Sequence, residues 1–196
     1  MTKKIKQHSQ AGIIRIFRKI HRISGISLVV FMFVIAVTGI MLGWKKNSGE
    51  LLQAKTYTGT TSDLKRWLPL DSLTTLAVHI LHDSISPCLS PEIDRIDIRA
   101  EKGIVKFIFK NHFWGIQLDG ASGRLLKIES RRSDIVEKIH DGSILDYYLG
   151  TTGDQIKLVY TSITGLALLL FSVTGFWLWY WPGQQRRQNK KRERDF

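Results

Sequence analysis

A chain of 196 residues with 43% hydrophobic side chains and a formal charge of +12 has a mean hydropathy of -0.07, the averages of one basic soluble domain. The averages conceal a partition that excludes that class: residues 23–44 and 158–185 hold no charged side chain, and each stretch exceeds the roughly 20 residues a helix needs to cross about 30 Å of hydrocarbon. The single cysteine, Cys88, excludes an internal disulfide and a thiolate metal cluster within one chain.

Residues 1–22 form a basic arm with seven cationic side chains and no acidic one. Ile13, Ile16, Phe17, Ile20 and Ile23 recur at helical spacing, with Arg15, Arg18, Lys19 and Arg22 between them. This is the pattern of an amphipathic run on a membrane surface that leads into a span. A cleaved secretory signal has a shorter basic start and an Ala-x-Ala exit. Here the exit is Leu42-Gly43-Trp44-Lys45-Lys46, so the first span, residues 23–44, is read as an uncleaved anchor.

Residues 45–157 follow as a looped-out domain. Residues 71–82 read as a helix with Leu73, Leu76, Ala77 and Ile80 on one face. Pro87 and Pro91 break the pattern, and strands are predicted at 93–99, 104–110, 114–118 and 124–129, the last pair joined by Asp119-Gly120-Ala121-Ser122-Gly123. One helix followed by an antiparallel meander predicts a small α+β layer. The fold class is therefore membrane α+β, two transmembrane helices flanking a helix-on-sheet domain.

The second span, residues 158–181, closes on Trp177, Trp179, Tyr180 and Trp181, an interfacial aromatic belt like Trp44 of the first. Pro182-Gly183 is expected to stop the helix. The spans share Val37-Thr38-Gly39 and Val173-Thr174-Gly175, and Gly39 with Gly43, and Gly165 with Ser172 and Gly175, offer small faces for helix packing. The tail, residues 182–196, carries a net +4, which leaves +1 for residues 45–157. Charge so distributed obeys the positive-inside rule: both termini are expected in the cytoplasm and the middle domain in the periplasm of a Gram-negative cell. The cationic tails suit anionic lipid. They lack the interleaved aromatics of a nucleic-acid site.

With one cysteine and no Gly-rich nucleotide loop, metal or electron chemistry falls to histidine. His21 stands at the lip of the first span in Lys19-Ile20-His21-Arg22, and His140 stands outside the second in Lys138-Ile139-His140-Asp141. A neutral imidazole at such an edge can ligate haem iron axially. The plainer readings are a polar lip residue for His21 and a helix cap for His140. His79 and His82 have i, i+3 spacing without a third ligand, and His112 reads as a strand-end residue. No acid–base carboxylate pair and no nucleophile motif stands out, which argues against hydrolysis.

From His21-Arg22-x-x-Gly25 and Thr38-Gly39, through Gly115-Ile-Gln-Leu-Asp119-x-x-Ser122-Gly123, to Ile139-His140 and Ser172-Val-Thr174-Gly175-Phe-x-Leu-Trp179, the chain resembles the PepSY-associated transmembrane helix proteins. These include iron-regulated membrane proteins and ferric-siderophore reductases. The resemblance implies a bacterial inner-membrane protein with a periplasmic PepSY fold. It also implies b-type haem held by histidines, and electron delivery to ferric chelates such as a ferric siderophore. The larger reductases have four helices and two PepSY modules, whereas this chain has half of each. His21 and His140 belong at opposite faces and cannot grip one haem together. A homodimer, or a second redox subunit of the same kind, would supply the missing ligands. The competing readings are a membrane-anchored binding or regulatory module without redox chemistry, and an accessory subunit of an iron or metal uptake system.

Overall fold

The computed structural model describes the backbone of residues 2–151 and 153–194, with side chains at 12–151, 153–184 and 187. The helices are α1 (Thr2–Gly43), α2 (Leu70–Ser84), α3 (Arg132–Asp141), α4 (Ser143–Leu149) and α5 (Gln155–Arg194). The strands are β1 (Ile93–Arg99), β2 (Ile104–Phe109), β3 (Trp114–Asp119) and β4 (Leu125–Ser130). The chain divides into two compact units, one of residues up to Val37 together with those from Ile139 onward, the other Thr38–Lys138.

In the second unit the predicted helix and all four predicted strands are present. The strands form one antiparallel sheet in the order β1-β2-β3-β4. Leu73, Ala77 and Leu81 of α2 recur every four residues and pack onto Val105, Phe107, Phe109, Ile116 and Leu118, none more than 1% exposed. The imperfect alternation of β1 has a physical cause. A register shift between Ile93 and Arg95 leaves Asp94 without a partner, so Ile93 and Ile96, three apart in sequence, both reach the core side.

The other face of the sheet is polar. Asp97, Lys106, Gln117 and Lys127 stand side by side across its four strands. The preceding loop straps over this face: Gln117 Nε2 donates to Lys55 O (3.0 Å), and Tyr57 N donates to Gln117 Oε1 (3.3 Å). Gly59 N donates to Lys102 O (2.7 Å). A Cβ at Gly59 would lie 2.1 Å from Gly103 O, so the crossing requires glycine. Covered by α2 on one side and this strap on the other, every residue of β2 is buried.

In the first unit α1 and α5 run antiparallel, as their ring contacts require: Phe17 meets Trp177 (centroids 6.0 Å apart) and Phe31 meets Tyr160 (6.2 Å). Residues 12–43 and 155–184 are long and apolar enough to cross a bilayer. Away from their seam they expose Ile26 (72%), Phe33 (68%) and Leu166 (67%), a surface that lipid covers at no cost.

The stop expected at Pro182 does not occur, because α5 continues through it to Arg194. Proline removes one N–H bond and crowds the carbonyl of Leu178. The sequence beyond is rich in the strong helix formers Gln, Arg and Lys, and Gln184 Nε2 bridges the site by donating to the Tyr180 hydroxyl (2.9 Å). At the other end of α5, Asp146 of α4 accepts from the backbone N–H groups of Ile156 (3.1 Å) and Lys157 (2.7 Å) and from the Thr151 hydroxyl. Burial raises the Asp146 pKa and these donors lower it more, leaving it below the ordinary carboxylate range. It thereby satisfies first-turn donors that the helix leaves without partners.

Candidate functional site

His21 faces Thr174 across the α1–α5 seam, with Nδ1 2.8 Å from Oγ1. Thr174 is only 3% exposed, and its hydroxyl lies 2.6 Å from Leu170 O, one turn back on its own helix. A hydroxyl has one hydrogen, and here the Leu170 carbonyl takes it. Toward His21 the oxygen can only accept, so Nδ1 carries the ring hydrogen and donates it. In the neutral ring the lone pair then lies on Nε2. This is how a metal-ligating imidazole is commonly oriented, by a bond from its other nitrogen.

The ring is enclosed by small and aromatic neighbours. Phe171 presents its edge at 5.0 Å. A Cβ on Gly175 would lie 3.6 Å from His21 Cε1, and one on Gly25 would lie 3.4 Å from Phe171. Trp177 stacks on Trp181 at 5.3 Å. The indole nitrogens of these two tryptophans are buried donors without a partner among the described residues.

His140 is half-buried near the end of α3. Two residues later, Gly142 packs against the ring of Tyr160. Positions 160 and 174 of α5 are thus engaged from the His140 and His21 sides respectively, and at 1.5 Å per residue they are roughly 21 Å apart. The two histidines occupy separate places along the helix. Of the predicted packing glycines, Gly175 adjoins His21, whereas Gly43 and Gly165 face open space. Ser172 is exposed, its hydroxyl donating to Leu168 O (2.9 Å), and Gly39 lies within α1.

The remaining described histidines are occupied. His79 Nδ1 pairs with exposed Asp83 (3.0 Å), and His82 Nε2 donates to Leu89 O (3.1 Å). His112 Nε2 donates to Ser90 O (3.1 Å) while its Nδ1 accepts from Trp114 N (3.3 Å). Burial pushes the His112 pKa down. Among the described residues no three His, Cys, Asp or Glu side chains gather as a metal site.

The family described as PepSY-associated TM region matches residues 18–196. The chain belongs to this family. No curated protein and no solved structure matches it. In this PepSY-associated TM protein the match begins at Arg18 and so takes in His21, the helix pair and the whole sheet unit.

Sequence reasoning missed Thr174 as the partner of His21, although a threonine repeated at Val-Thr-Gly in an apolar helix was a signal. It also missed a polar cluster in the sheet. Lys106 Nζ is 3.4 Å from Glu129 Oε2, the two side chains 7% and 10% exposed, and Gln117 Nε2 donates to the same carboxylate (2.5 Å). Burial lowers the Lys106 pKa, and the Glu129 charge opposes the shift without cancelling it.

Proposed function

We propose that this PepSY-associated TM protein is a haem-bearing electron-transfer subunit of a bacterial inner membrane, assisting the reduction of ferric siderophore or iron on the periplasmic side. One observation carries the reading: the bond from His21 Nδ1 to a hydroxyl already committed to Leu170 O, which leaves Nε2 as the ligating nitrogen. The surroundings fit a b-type haem. Gly175 spares the space beside the ring, and Trp177 and Trp181 hold two buried N–H donors in search of acceptors, which carboxylate groups at a porphyrin edge would supply. When bound, haem supplies one-electron chemistry.

The chain's own contribution is to hold and orient. Thr174 orients His21, and Phe171 packs its edge against the ring. His140 is the candidate ligand near the other end of the pair. Thr174, which bonds His21, and Tyr160, against which Gly142 packs two residues after His140, lie roughly 21 Å apart along α5, so each histidine calls for a second ligand from outside the chain. A second copy, or another PepSY-associated redox subunit, provides it. The absence of a flavin or nicotinamide fingerprint in the sequence calls for an external electron donor. The positive charge of the arm and tail supports an orientation with both termini in the cytoplasm and the sheet unit in the periplasm.

A single optical spectrum of detergent-purified protein, oxidised and then reduced with dithionite, tests this. A Soret band that sharpens on reduction and is lost in the His21→Ala, His140→Ala double variant is expected. A spectrum without that band, or one the double variant leaves unchanged, removes the proposal and favours a binding module.

A further inference from the structure

Where α5 leaves the membrane, its surface carries a gap. Trp179, Tyr180, Gly183, Gln184 and Arg187 line an open groove of about 260 Å³. Residues three and four apart share one face of a helix, so positions 180, 183, 184 and 187 form a stripe that 179 borders. Gly183 is its floor, where an added Cβ would meet nothing within 4 Å. Trp179, 75% exposed, and Tyr180 wall the side toward the span. Arg187 closes the other side, because helical side chains lean toward the N-terminus and carry it back over the glycine.

Arg187 is the only charged residue of the lining. Its neighbours at three and four residues are Gly183, Gln184, Lys190 and Lys191, so the helix offers it no carboxylate at pairing distance. The ion pairs among the described residues do not include it. Beside it the Tyr180 oxygen accepts from Gln184 Nε2 (2.9 Å), which leaves the phenolic hydrogen to be donated elsewhere. A guanidinium fork and a phenolic O–H are donors that a phosphate accepts, the guanidinium through two parallel bonds.

Toward the bilayer the same face is apolar. Phe176 stacks on Tyr180, with centroids 5.8 Å apart, and Phe176, Val173 and Leu169 continue the stripe and are all exposed. From Tyr180 to Leu169 the helix rises roughly 16 Å, close to the hydrocarbon thickness of one leaflet, about 15 Å. A phosphate site that opens onto an apolar path of leaflet length fits a lipid and leaves a free phosphate half its contacts.

We propose that this groove binds one anionic phospholipid, its phosphate held by Arg187 and Tyr180 and an acyl chain lying along Phe176, Val173 and Leu169. Preference for an anionic headgroup follows from the tail, whose net +4 includes Lys190 and Lys191 and opposes a choline ammonium. The groove lies on α5 alone, and its occupancy does not depend on haem.

Native mass spectrometry of the detergent-purified full chain, titrated with phosphatidylglycerol or with phosphatidylcholine of the same acyl chains, tests it. Saturable one-to-one retention of phosphatidylglycerol is expected, about tenfold tighter than that of phosphatidylcholine. Glycerol 3-phosphate, which lacks the acyl chains, should not displace it. Arg187→Lys keeps the charge but loses the paired bonds, and Gly183→Leu keeps the charge but fills the groove. Each should weaken phosphatidylglycerol about tenfold while the circular dichroism of the helices is unchanged. Arg18→Gln removes a charge from α1 at the same end of the helix pair, where Phe17 meets Trp177, but outside the lining, and should leave retention unaltered. Equal retention of the two lipids, indifference to both groove substitutions, a loss in Arg18→Gln as large as theirs, or displacement by glycerol 3-phosphate overturns the assignment.

Discussion

Replacing Glu129 with glutamine isolates the charge in the sheet's polar cluster. The amide keeps the shape and an oxygen for Gln117 Nε2, now at 2.5 Å from the carboxylate, but leaves the Lys106 ammonium, 7% exposed, without its counter-charge. Breaking a buried pair from one side costs about 3–5 kcal/mol. The lysine has one escape, to shed its proton. From an ordinary pKa of about 10.4 that costs about 4.6 kcal/mol at pH 7, at about 1.36 kcal/mol per unit, and this caps the loss. At pH 9 the cap falls to about 1.9 kcal/mol. The sign follows from the direction of the shift: burial lowers the Lys106 pKa, the unfolded chain therefore binds more protons, and stability rises with pH between the folded and unfolded values. In Glu129→Gln the deficit against the parent should be about 3–4.6 kcal/mol at pH 7 and smaller by up to about 2.7 kcal/mol at pH 9. Urea titration read by pulsed hydrogen exchange of β2 peptides measures it, since those amides report the sheet and not the long helices. Lys106→Met with Glu129→Leu should recover most of the loss. A deficit under about 1 kcal/mol at pH 7, or one that pH 9 leaves unchanged, refutes the reasoning.

Asp119 is fully buried and accepts from Thr60 N (3.1 Å), the Thr60 hydroxyl and Ala121 N (3.0 Å). Burial raises its pKa, but these donors more than offset that and hold it below the ordinary carboxylate range. Its stabilisation is complete at neutral pH and is lost as pH falls through that lowered value. Urea midpoints from pH 7 to pH 2 should drop steeply at the acid end, and Asp119→Asn should flatten the drop while costing about 1–3 kcal/mol at pH 7. Gly59→Ala would set a Cβ 2.1 Å from a backbone oxygen that cannot swing aside, so a loss of about 3 kcal/mol is expected in the same urea assay. Under the haem proposal, Thr174→Val removes the acceptor for His21 Nδ1–H and should weaken haem retention by about 10–100-fold in a haem-transfer assay, with Thr174→Ser close to the parent.

The sheet unit was legible because its signals are local. Period-two alternation in Val105, Phe107 and Phe109, the Asp119–Gly123 turn, and the four-residue spacing of Leu73, Ala77 and Leu81 each report their own segment. Helix α3 entered only as the helix that His140 would cap and was given no range, because among its ten residues only Ser133 and Val136 are buried, too few to print a period. The continuation of α5 past Pro182 was equally hidden, since a local breaker signal says nothing of the helix formers downstream. At the candidate site, His21 was legible as an isolated polar residue beside an apolar run. Its partner was not, because the bond to Thr174 joins residues 153 apart in sequence and depends on which turns of two antiparallel helices meet. The Lys106–Glu129 pair was obscured for the same reason: a lysine inside Val-Lys-Phe reads as the solvent side of a strand until the strap over residues 55–60 is known.

The energetics of the helix seam bear on what His21 is for. In lipid an interhelical hydrogen bond contributes about 0.6 kcal/mol on average, and a leucine or phenylalanine at position 21 would pack against Phe171 and Gly175 without leaving an imidazole nitrogen in an apolar seam. Holding the helices together therefore gives no reason to keep histidine here. Thr164 makes the useful comparison: it too is buried and bonds back one turn, to Tyr160 O at 2.7 Å, yet among the described residues no imidazole bonds to it. Back-bonding satisfies such a hydroxyl by itself. What the Thr174 position adds is a second bond that settles which nitrogen of His21 bears hydrogen, and the only atom that profits is Nε2. Under the haem proposal, a residue that packing does not require and that is held in the tautomer freeing one lone pair is explained by what that lone pair binds.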